Sequence, residues 1–423
     1  MPTIQRLHAC EILDSRGRPT VLAVCELREG AFASASVPSG ASRGSAEALE
    51  LRDGDAQRYR GLGCRKAVEH IKTGIAAAVC GRTMESQQQL DRLLVELDGT
   101  PNKSRLGANA ILAVSIAFAR AHAALLKQPL YKHFASIAGG QARQLPRLTI
   151  NLFSGGKHAG GQVAIQDVLI VPAAAETFEA GLATVFAVYQ AAAELGVKKY
   201  QARALTADEG GLAPPFPNAQ SMLDDAVTAI ELAGFKPGRD VAIAVDVASS
   251  HFYESGRYRI DGAVLSSEQM IEKLAGWVRQ YPIVSVEDGL AEDDWAHWPA
   301  LRQAIGGRAL VLGDDLLCTN CSRIQRAIDA KAADALLLKV NQIGTLSEAA
   351  QAGNLAVKAG WAVTISARSG ETEDDWLADL AVGWSGTQIK IGSITHSERL
   401  AKYNRLLRIE EETKFPVAKW PAS

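Results

Sequence analysis

Four segments in the middle of the chain decide its fold: AIAVD (residues 242–246), PIVSVED (282–288), ALVLGDD (309–315) and DALLLKV (334–340). Each contains an apolar run that is too short for a helix and is typical of a strand buried on both faces. The spacing between the segments leaves room for one helix and two loops per unit. Repeated units of this kind predict an α/β protein with a parallel (β/α)8 barrel.

The last residues of these segments include four ionisable side chains, Asp246, Glu287, Asp314 and Lys339. Catalytic groups in such barrels lie at the C-terminal ends of the strands, so these side chains are predicted to share one mouth. Three carboxylates with no basic neighbour in sequence would repel each other there, and an all-oxygen ligand set favours Mg²⁺. The alternative is that these acids only cap the following helices, but the repetition in four consecutive units argues against it.

Length and charge limit the possible functions. A chain of 423 residues has room for a barrel of roughly 250 residues and a second domain. Its net charge of −2 gives no basic field for nucleic acid or an anionic membrane, and the N-terminus lacks a signal-peptide pattern. We therefore expect a cytoplasmic protein with reduced thiols. Cys318 and Cys321 could form a redox pair or half of a zinc site, but nothing supplies the other half.

The N-terminal part predicts a separate α+β domain. Residues 3–37 alternate apolar and polar residues in pieces that are separated by turn signals, which indicates an antiparallel meander. Helices are predicted at 66–80, 86–97 and 107–127, and residues 139–146 are the best domain boundary. We therefore divide the chain into an α+β capping domain at 1–140 and a catalytic barrel at 141–423.

The small-residue segment SGASRG, residues 39–44, connects the meander to the first helix. Its composition predicts a mobile lid that closes over the barrel mouth and carries Ser42 and Arg43. Composition alone would favour an ordinary surface loop. This alternative stays open at the level of the sequence.

Further polar candidates lie in the barrel half. His158 lies in a glycine-rich loop, Asp167 begins the strand that follows it, and Glu209 precedes two glycines. Arg368 and Ser369 follow the strand at 362–366, where they form a suitable pair for a phosphate or carboxylate group. The next strand ends at Lys390. A mouth with these groups suits a substrate that has carboxylate and phosphate-like groups.

The motifs resemble those of the enolase family along the whole chain. The resemblance implies a Mg²⁺-dependent lyase that removes a proton α to a carboxylate and then expels a β-hydroxyl. The matching stretches are ILDSRGRPT, PSGASRG, ALELRDGD, GGKHA, DEGGLAP, VDVASS, VEDGLAEDDW, GDDLLCTN, LLLKVNQIGTLSEA, RSGETEDDW and SERLAKYNRLLRIEEE.

The resemblance also implies roles for individual residues. Asp246, Glu287 and Asp314 would bind the catalytic Mg²⁺. Lys339 would be the base and Glu209 the acid that protonates the leaving hydroxyl. The like charge of Mg²⁺ would disfavour the ammonium form of Lys339. Lys390 would hold the substrate carboxylate, and Arg368 and Ser369 would bind its phosphate. His158 and Asp167 would line the pocket, and Ser42 would bring the lid and a second Mg²⁺.

Departures from the family pattern predict a changed substrate. Arg43 replaces the threonine of the family's lid, Ala367 replaces a histidine that contacts substrate, and Asp167 replaces a glutamate. Arg43 would bind an added carboxylate or replace the charge of the second Mg²⁺. We therefore favour a diverged enolase-like lyase acting on a phosphonate-type analogue of 2-phosphoglycerate, as in carboxyphosphonoenolpyruvate synthesis for phosphinothricin-type antibiotics. The alternatives are a glycolytic enolase and a non-catalytic protein on an enolase scaffold.

Assembly is predicted from the same resemblance. The family forms dimers in which a glutamate on the second strand pairs with an arginine of the partner. Arg408 keeps the arginine, whereas Leu22 stands at the position of the glutamate. We still expect a homodimer, because exposed ion pairs contribute little and buried apolar area dominates an interface.

Overall fold

The computed structural model describes residues 1–420, and its N-terminal part is a three-stranded antiparallel sheet backed by helices. The strands are β1 (Ile4–Leu13), β2 (Pro19–Leu27) and β3 (Phe32–Ser36). β2 lies in the centre, and its side chains are largely buried because the long helix Ala108–Leu125 covers one face of the sheet. The predicted meander is confirmed.

The N-terminal helices follow the sheet. The predicted helix at 66–80 is divided, because a π-helical turn at Ile71–Ile75 separates α1 from α2. Ser86 caps α3 by accepting a hydrogen bond from the amide of Gln89 at 3.2 Å. The helices are α1 (Arg65–His70), α2 (Ala76–Val79), α3 (Gln87–Asp98), α4 (Ala108–Leu125) and α5 (Leu130–Ile137).

The second part of the chain is a closed eight-stranded barrel, as the sequence predicted. Its strands, in chain order, are β4 (Arg147–Ser154), β5 (Asp167–Val171), β6 (Ala242–Asp246), β10 (Ile283–Glu287), β11 (Leu310–Gly313), β12 (Ala335–Leu338), β13 (Ala362–Ser366) and β14 (Gln388–Lys390). The labels β7 (Tyr253–Glu254), β8 (Arg257–Ile260) and β9 (Ala263–Leu265) denote a small separate sheet that follows β6.

One strand departs from the parallel arrangement that the sequence predicted. β5 runs antiparallel to both β4 and β6. The reason is the connection: a loop with only a short 3-10 turn at Gly156–Ala159 joins β4 to β5, and a parallel return would need a longer crossover. As a consequence, the first residue of β5, Asp167, lies at the end of the barrel where the other strands finish.

Helices surround the barrel and close its outer layer. They are α6 (Phe178–Tyr200), α7 (Ala219–Leu232), α8 (Ser267–Gln280), α9 (Trp298–Ile305), α10 (Cys321–Ala330), α11 (Val340–Ile343), α12 (Leu346–Lys358), α13 (Trp376–Gly383) and α14 (Ser397–Thr413). Ser266 begins α8 with a capping box, in which it bonds the amide of Gln269 and the Gln269 side chain bonds back.

Within residues 1–420, two helices, α4 and α6, are long and apolar enough to cross a membrane by length and composition alone. α4 is 78% buried, so its apolar character is explained by its place in the core between the sheet and the barrel. The corresponding window of α6 is 28% buried, and this helix packs on α7 and β4.

The two parts of the chain contact each other directly around the lid. Ser39 exchanges two backbone hydrogen bonds with Gly370 of the barrel, at 2.8 and 2.9 Å. α5, the last helix before the barrel, packs on α13. The division into domains at residues 140 and 141 falls between α5 and β4 and stays a prediction.

Candidate active site

The register of the barrel strands explains why distant acids meet. Asp246 pairs with Glu287 on one side and with Asp167 on the other. Each carboxylate therefore points into the same end of the barrel, where the next residues after β11, β12 and β13 also emerge. All three acids are buried.

Lys390 lies between two of the predicted metal ligands. Its Nζ donates hydrogen bonds to Asp246 at 2.7 Å and to both carboxylate oxygens of Glu287 at 2.8 and 2.9 Å. Burial alone would raise the pKa of Asp246, but the Lys390 ammonium outweighs it and lowers this pKa to about 2. Burial and the nearby Asp246 raise the pKa of Glu287 well above its usual range. Two carboxylates thus share one cation.

Lys339 forms a second buried pair in the mouth. Its Nζ donates to Asp314 Oδ2 at 2.5 Å, and Gln342 donates to Asp314 Oδ1 at 2.8 Å. Burial favours the neutral amine, but the Asp314 carboxylate outweighs it, and the pKa of Lys339 is raised. Without further positive charge, Lys339 is therefore an ammonium group.

The opposite wall of the mouth contains His158, Asp167 and Glu209. His158 Nδ1 lies 3.0 Å from Asp167, and its Nε2 lies 3.7 Å from Glu209. Burial alone would lower the pKa of His158, but the two carboxylates raise it to about 9. Asn151 donates to Glu209 at 3.0 Å. Burial would raise the pKa of Glu209, but the charge of His158 and more distant cations lowers it.

Arg368 and Ser369 face the lid, which lies closed on the mouth. Arg368 donates to the carbonyl of Ser42 at 2.8 Å and to both oxygens of Glu47 at 3.1 Å. Ser369 Oγ accepts a hydrogen bond from the amide of Ala41 at 2.8 Å. Residues from both ends of the chain thus close one small cavity, which is lined by Ala41, Ser42, His158, Gln166, Glu209, Asp246, Asp314, Lys339, Ser366, Ala367, Arg368, Ser369 and Lys390.

Arg43 does not line this cavity, although it is adjacent to Ser42. Its guanidinium contacts Glu50 at 2.5 Å, and its side chain is 43% exposed. Glu50 also pairs with Arg52. The predicted substrate contact of Arg43 stays a prediction, and the geometry favours an exposed ion pair on the outside of the lid. Ala367, in contrast, is buried and lines the mouth.

The donor set fits a divalent cation. Asp246, Glu287 and Asp314 offer only oxygen atoms, as Mg²⁺ requires, and burial together with the nearby Asp246 raises the pKa of Glu287. Asp288, Asp314 and Asp315 form a second possible set of metal ligands, since their carboxylate oxygens lie within 4.8 Å of each other. Asp288 already accepts the amides of Asp314 and Asp315, at 2.9 and 2.7 Å. Asp314 belongs to both sets.

Several residues of the site escaped the sequence analysis. Glu47 gave no signal because it lies in a stretch that reads as an ordinary amphipathic segment, yet it pairs with Arg368. His251 contacts Ser42, and Asp288 accepts the amides of Asp314 and Asp315 in the loop that follows β11. Both follow strand ends, which was the available signal. Cys318 and Cys321 are free thiols, and Cys318 donates to the carbonyl of Asp315 at 3.1 Å.

A loop of the N-terminal domain over a barrel mouth lined with carboxylates and lysines is the arrangement of a barrel enzyme, whose active site lies at this end of the strands. The comparison with protein families makes this assignment specific. A family model described as the enolase C-terminal TIM barrel domain matches residues 142–418, and one described as the enolase N-terminal domain matches residues 4–134. The chain belongs to the enolase family, whose members are hydro-lyases (phosphopyruvate hydratases).

Family membership confirms the resemblance that the sequence motifs indicated. The enolase family uses Mg²⁺ and acts on a small phosphorylated carboxylate. The two domain models do not show the phosphonate substrate. They favour dehydration of 2-phosphoglycerate over the phosphonate substrate that the departures had led us to prefer.

Proposed function

We propose that the protein removes water from 2-phosphoglycerate to give phosphoenolpyruvate, with Mg²⁺ as the cofactor. The observation that carries this proposal is the composition of the closed mouth. Lys339 and Glu209 line one cavity together with Arg368, Ser369 and Lys390. An acid, a base and cationic groups for two anionic ends of the substrate are thus available within one enclosure.

In the proposed reaction, Lys339 Nζ takes the proton from the carbon next to the substrate carboxylate. Glu209 donates a proton to the hydroxyl on the β-carbon, the C–O bond breaks, and water leaves as the double bond forms. Arg368 and Ser369 bind the phosphate. The enclosed cavity excludes bulk water, which strengthens the interaction of each charged side chain with the anionic substrate.

The protonation states of the mouth determine what the reaction requires. Lys339 must lose a proton, although Asp314 raises its pKa. When bound by Asp246, Glu287 and Asp314, Mg²⁺ supplies positive charge that balances these carboxylates and the negative charge formed on the substrate. Glu209 must be protonated to act as the acid, although the charge of His158, whose own pKa is raised to about 9, lowers the pKa of Glu209.

A phosphonate-type analogue of 2-phosphoglycerate is the second candidate substrate. Ala367 is the observation that favours it, because a small buried side chain lies beside Arg368, where the family has a histidine. The space next to the phosphate group could hold an additional substituent. Arg43 does not support binding of an added anion, because its guanidinium already pairs with Glu50 on the exposed side of the lid.

The test compares both substrates with purified protein in the presence of Mg²⁺. We expect turnover of 2-phosphoglycerate, followed by the ultraviolet absorbance of the enol product. Asp246→Asn should abolish turnover and Mg²⁺ binding while the fold survives, whereas Asp329→Asn on the exposed face of α10 should retain both. Exclusive turnover of the phosphonate analogue would replace the first substrate with the second, and full activity in excess chelator would contradict the metal assignment.

We also propose that the chain forms a homodimer. Leu22 lines an open groove between the sheet and the barrel together with the exposed Leu13. Arg408 pairs with Asp375 of its own chain at 3.1 Å, so its side chain has a partner without a glutamate on β2. Light scattering at micromolar concentration should give the mass of two chains, and a monomer would contradict the proposal.

A further inference from the structure

The wall of the mouth that contains His158 is held from behind by Ser154, a residue that the reaction described above does not use. Ser154 is the last residue of β4 and lies opposite Asp167, the first residue of β5, in the antiparallel register. It is fully buried, and its Oγ donates a hydrogen bond to Asp167 Oδ1 at 2.6 Å. Ser154 is not among the residues that line the mouth, so it can act on a substrate only through its neighbours.

The other oxygen of Asp167, Oδ2, lies 3.0 Å from Nδ1 of the His158 imidazole. An ionised carboxylate only accepts hydrogen bonds, so Nδ1 carries a proton and the orientation of the ring is fixed. Nε2 then points the other way, 3.7 Å from Oε1 of Glu209, and both His158 and Glu209 line the mouth. Because the pKa of His158 is raised to about 9, Nε2 also carries a proton at neutral pH.

The surroundings of Ser154 direct its hydroxyl to this carboxylate. The backbone amide of Ser154 donates to the carbonyl of Leu212 at 2.9 Å, which fixes the end of β4. A Cβ atom on Gly211 would clash with Ser154 Oγ, so the glycine leaves the room that the hydroxyl needs. Asp167 has one methylene group less than the glutamate of the family pattern, and its carboxylate contacts Ser154 and His158 at the same time. The hydroxyl therefore determines which oxygen of Asp167 is left for the imidazole.

We propose that Ser154 is a positioning residue for His158: it fixes the Asp167 carboxylate, which in turn holds imidazole Nε2 as a hydrogen-bond donor to the substrate in the mouth. The identity of the substrate rests on the proposed function, whereas the contacts of Ser154 and Asp167 are independent of it. A donor that is oriented before the reaction needs no rearrangement when charge develops in the substrate. Loss of the Ser154 hydroxyl should therefore lower turnover while the fold survives.

Replacement of Ser154 by alanine removes the hydroxyl and leaves the rest of the wall in place. We expect Ser154→Ala to lower kcat/KM for 2-phosphoglycerate about tenfold, as is typical for loss of a hydrogen bond to a charged group. Ser154→Cys keeps the size of the side chain but offers a weaker donor, so its loss should be smaller. Ser285→Ala is the matched control and should keep the wild-type kcat/KM, because this buried serine lies on barrel strand β10 and its Oγ has no hydrogen-bond partner within residues 1–420.

A double-mutant cycle shows whether Ser154 acts through Asp167. Asp167→Asn removes the charge that holds His158 and should itself lower kcat/KM. If Ser154 acts only through this carboxylate, the addition of Ser154→Ala to Asp167→Asn causes less than about twofold further loss. A serine that merely stabilises the fold would cause its full loss in both backgrounds, and this result would overturn the proposal.

Nuclear magnetic resonance of the histidine rings provides a readout that needs no substrate. At neutral pH we expect the wild type to show a downfield Nδ1–H signal of His158, which is assigned by its loss in His158→Gln. This proton should exchange with water about tenfold faster in Ser154→Ala and at the wild-type rate in Ser285→Ala.

Two results would contradict the role of Ser154: an unchanged Nδ1–H signal in Ser154→Ala, or kcat/KM of this variant within about twofold of the wild type. Absence of 2-phosphoglycerate turnover in the wild type would instead contradict the proposed function. The exchange comparison would then still decide whether Ser154 positions His158.

Discussion

The barrel mouth and the outer side of the lid both contain short ion pairs, yet the pairs have different physical meaning. In the mouth, Lys390 is buried between Asp246 and Glu287. On the lid, Arg43 contacts Glu50 with 43% of its side chain exposed. Water screens the second pair and competes for its hydrogen bonds, so such pairs typically contribute about 0–1 kcal/mol. Breaking a buried pair leaves an uncompensated charge, which costs about 3–5 kcal/mol.

This comparison shows that distance alone does not identify a functional charge. The sequence predicted a substrate contact for Arg43, because it is a permanent cation within the predicted lid. Lys390 was one of several strand-end candidates. The enclosure of a charge decides its importance, because removal of water strengthens every remaining electrostatic interaction.

Replacement of Lys339 should have the largest effect, because this residue contacts the reacting carbon in the proposed mechanism. We expect Lys339→Ala to lower kcat for 2-phosphoglycerate by about 10²–10⁴-fold, as loss of a general base does. Lys358→Ala, at the exposed end of α12, is the matched control and should keep wild-type kcat. A loss of less than tenfold in Lys339→Ala would assign the base to another residue.

Replacement of Lys390 tests the buried pair directly. In metal-free protein, Lys390→Met leaves Asp246 and Glu287 without their cation and should lower the free energy of unfolding by about 3–5 kcal/mol. Saturating Mg²⁺ should recover part of this loss because it supplies another cation to the same carboxylates. Denaturant unfolding with and without Mg²⁺ measures both quantities. Equal destabilisation in the two conditions would place the metal elsewhere, for example at Asp288, Asp314 and Asp315.

The buried His133 should make the free energy of unfolding depend on pH. Burial, assisted by the nearby His122, lowers the pKa of His133 to about 4, and neither ring nitrogen has a hydrogen-bond partner within residues 1–420. The unfolded chain therefore binds this proton first, near pH 6.5, and the folded chain binds it only near pH 4. Stability attributable to this residue is lost as the pH falls through that window.

The expected size of this loss is up to about 3 kcal/mol, from the difference between the two pKa values. His133→Leu removes the titrating group, so the unfolding free energy of the variant should depend less steeply on pH between 6.5 and 4. Measurements at four or five pH values compare the slopes of the variant and the wild type. Parallel slopes would show that His133 is protonated in the folded state.

Replacement of Arg43 should have the smallest effect on substrate binding, because its side chain is exposed and pairs with Glu50. The hypothesis of an added anion predicts that Arg43→Thr weakens substrate binding by about 1.5–3 kcal/mol. The exposed contact with Glu50 predicts less than about 1 kcal/mol, which is at most about fivefold in KM. Lys331→Ala on the surface of the barrel serves as the control. A loss of one or two decades for Arg43→Thr would reverse the comparison and favour the phosphonate-type substrate.

The sequence by itself determined the barrel and most of its charged mouth. Apolar runs of strand length, each followed by an ionisable residue, are a local signal, and strand ends in a barrel converge regardless of the side chains between them. For this reason Asp246, Glu287, Asp314, Lys339 and Lys390 could be identified before the structure. The composition of residues 39–44 by itself favoured an ordinary surface loop, and their contacts with Arg368 and Ser369 were visible only in the structure.

Only the tertiary structure decided which partner each charged group has. The antiparallel direction of β5 depends on the loop that follows β4, and it brings Asp167 to His158. Glu47 meets Arg368, and His251 meets Ser42, across sequence separations of 321 and 209 residues. Such contacts depend on how the chain closes, which local patterns do not encode. The periodicity of a segment determines which face is buried, whereas the neighbour across that face is determined by the packing of the whole chain.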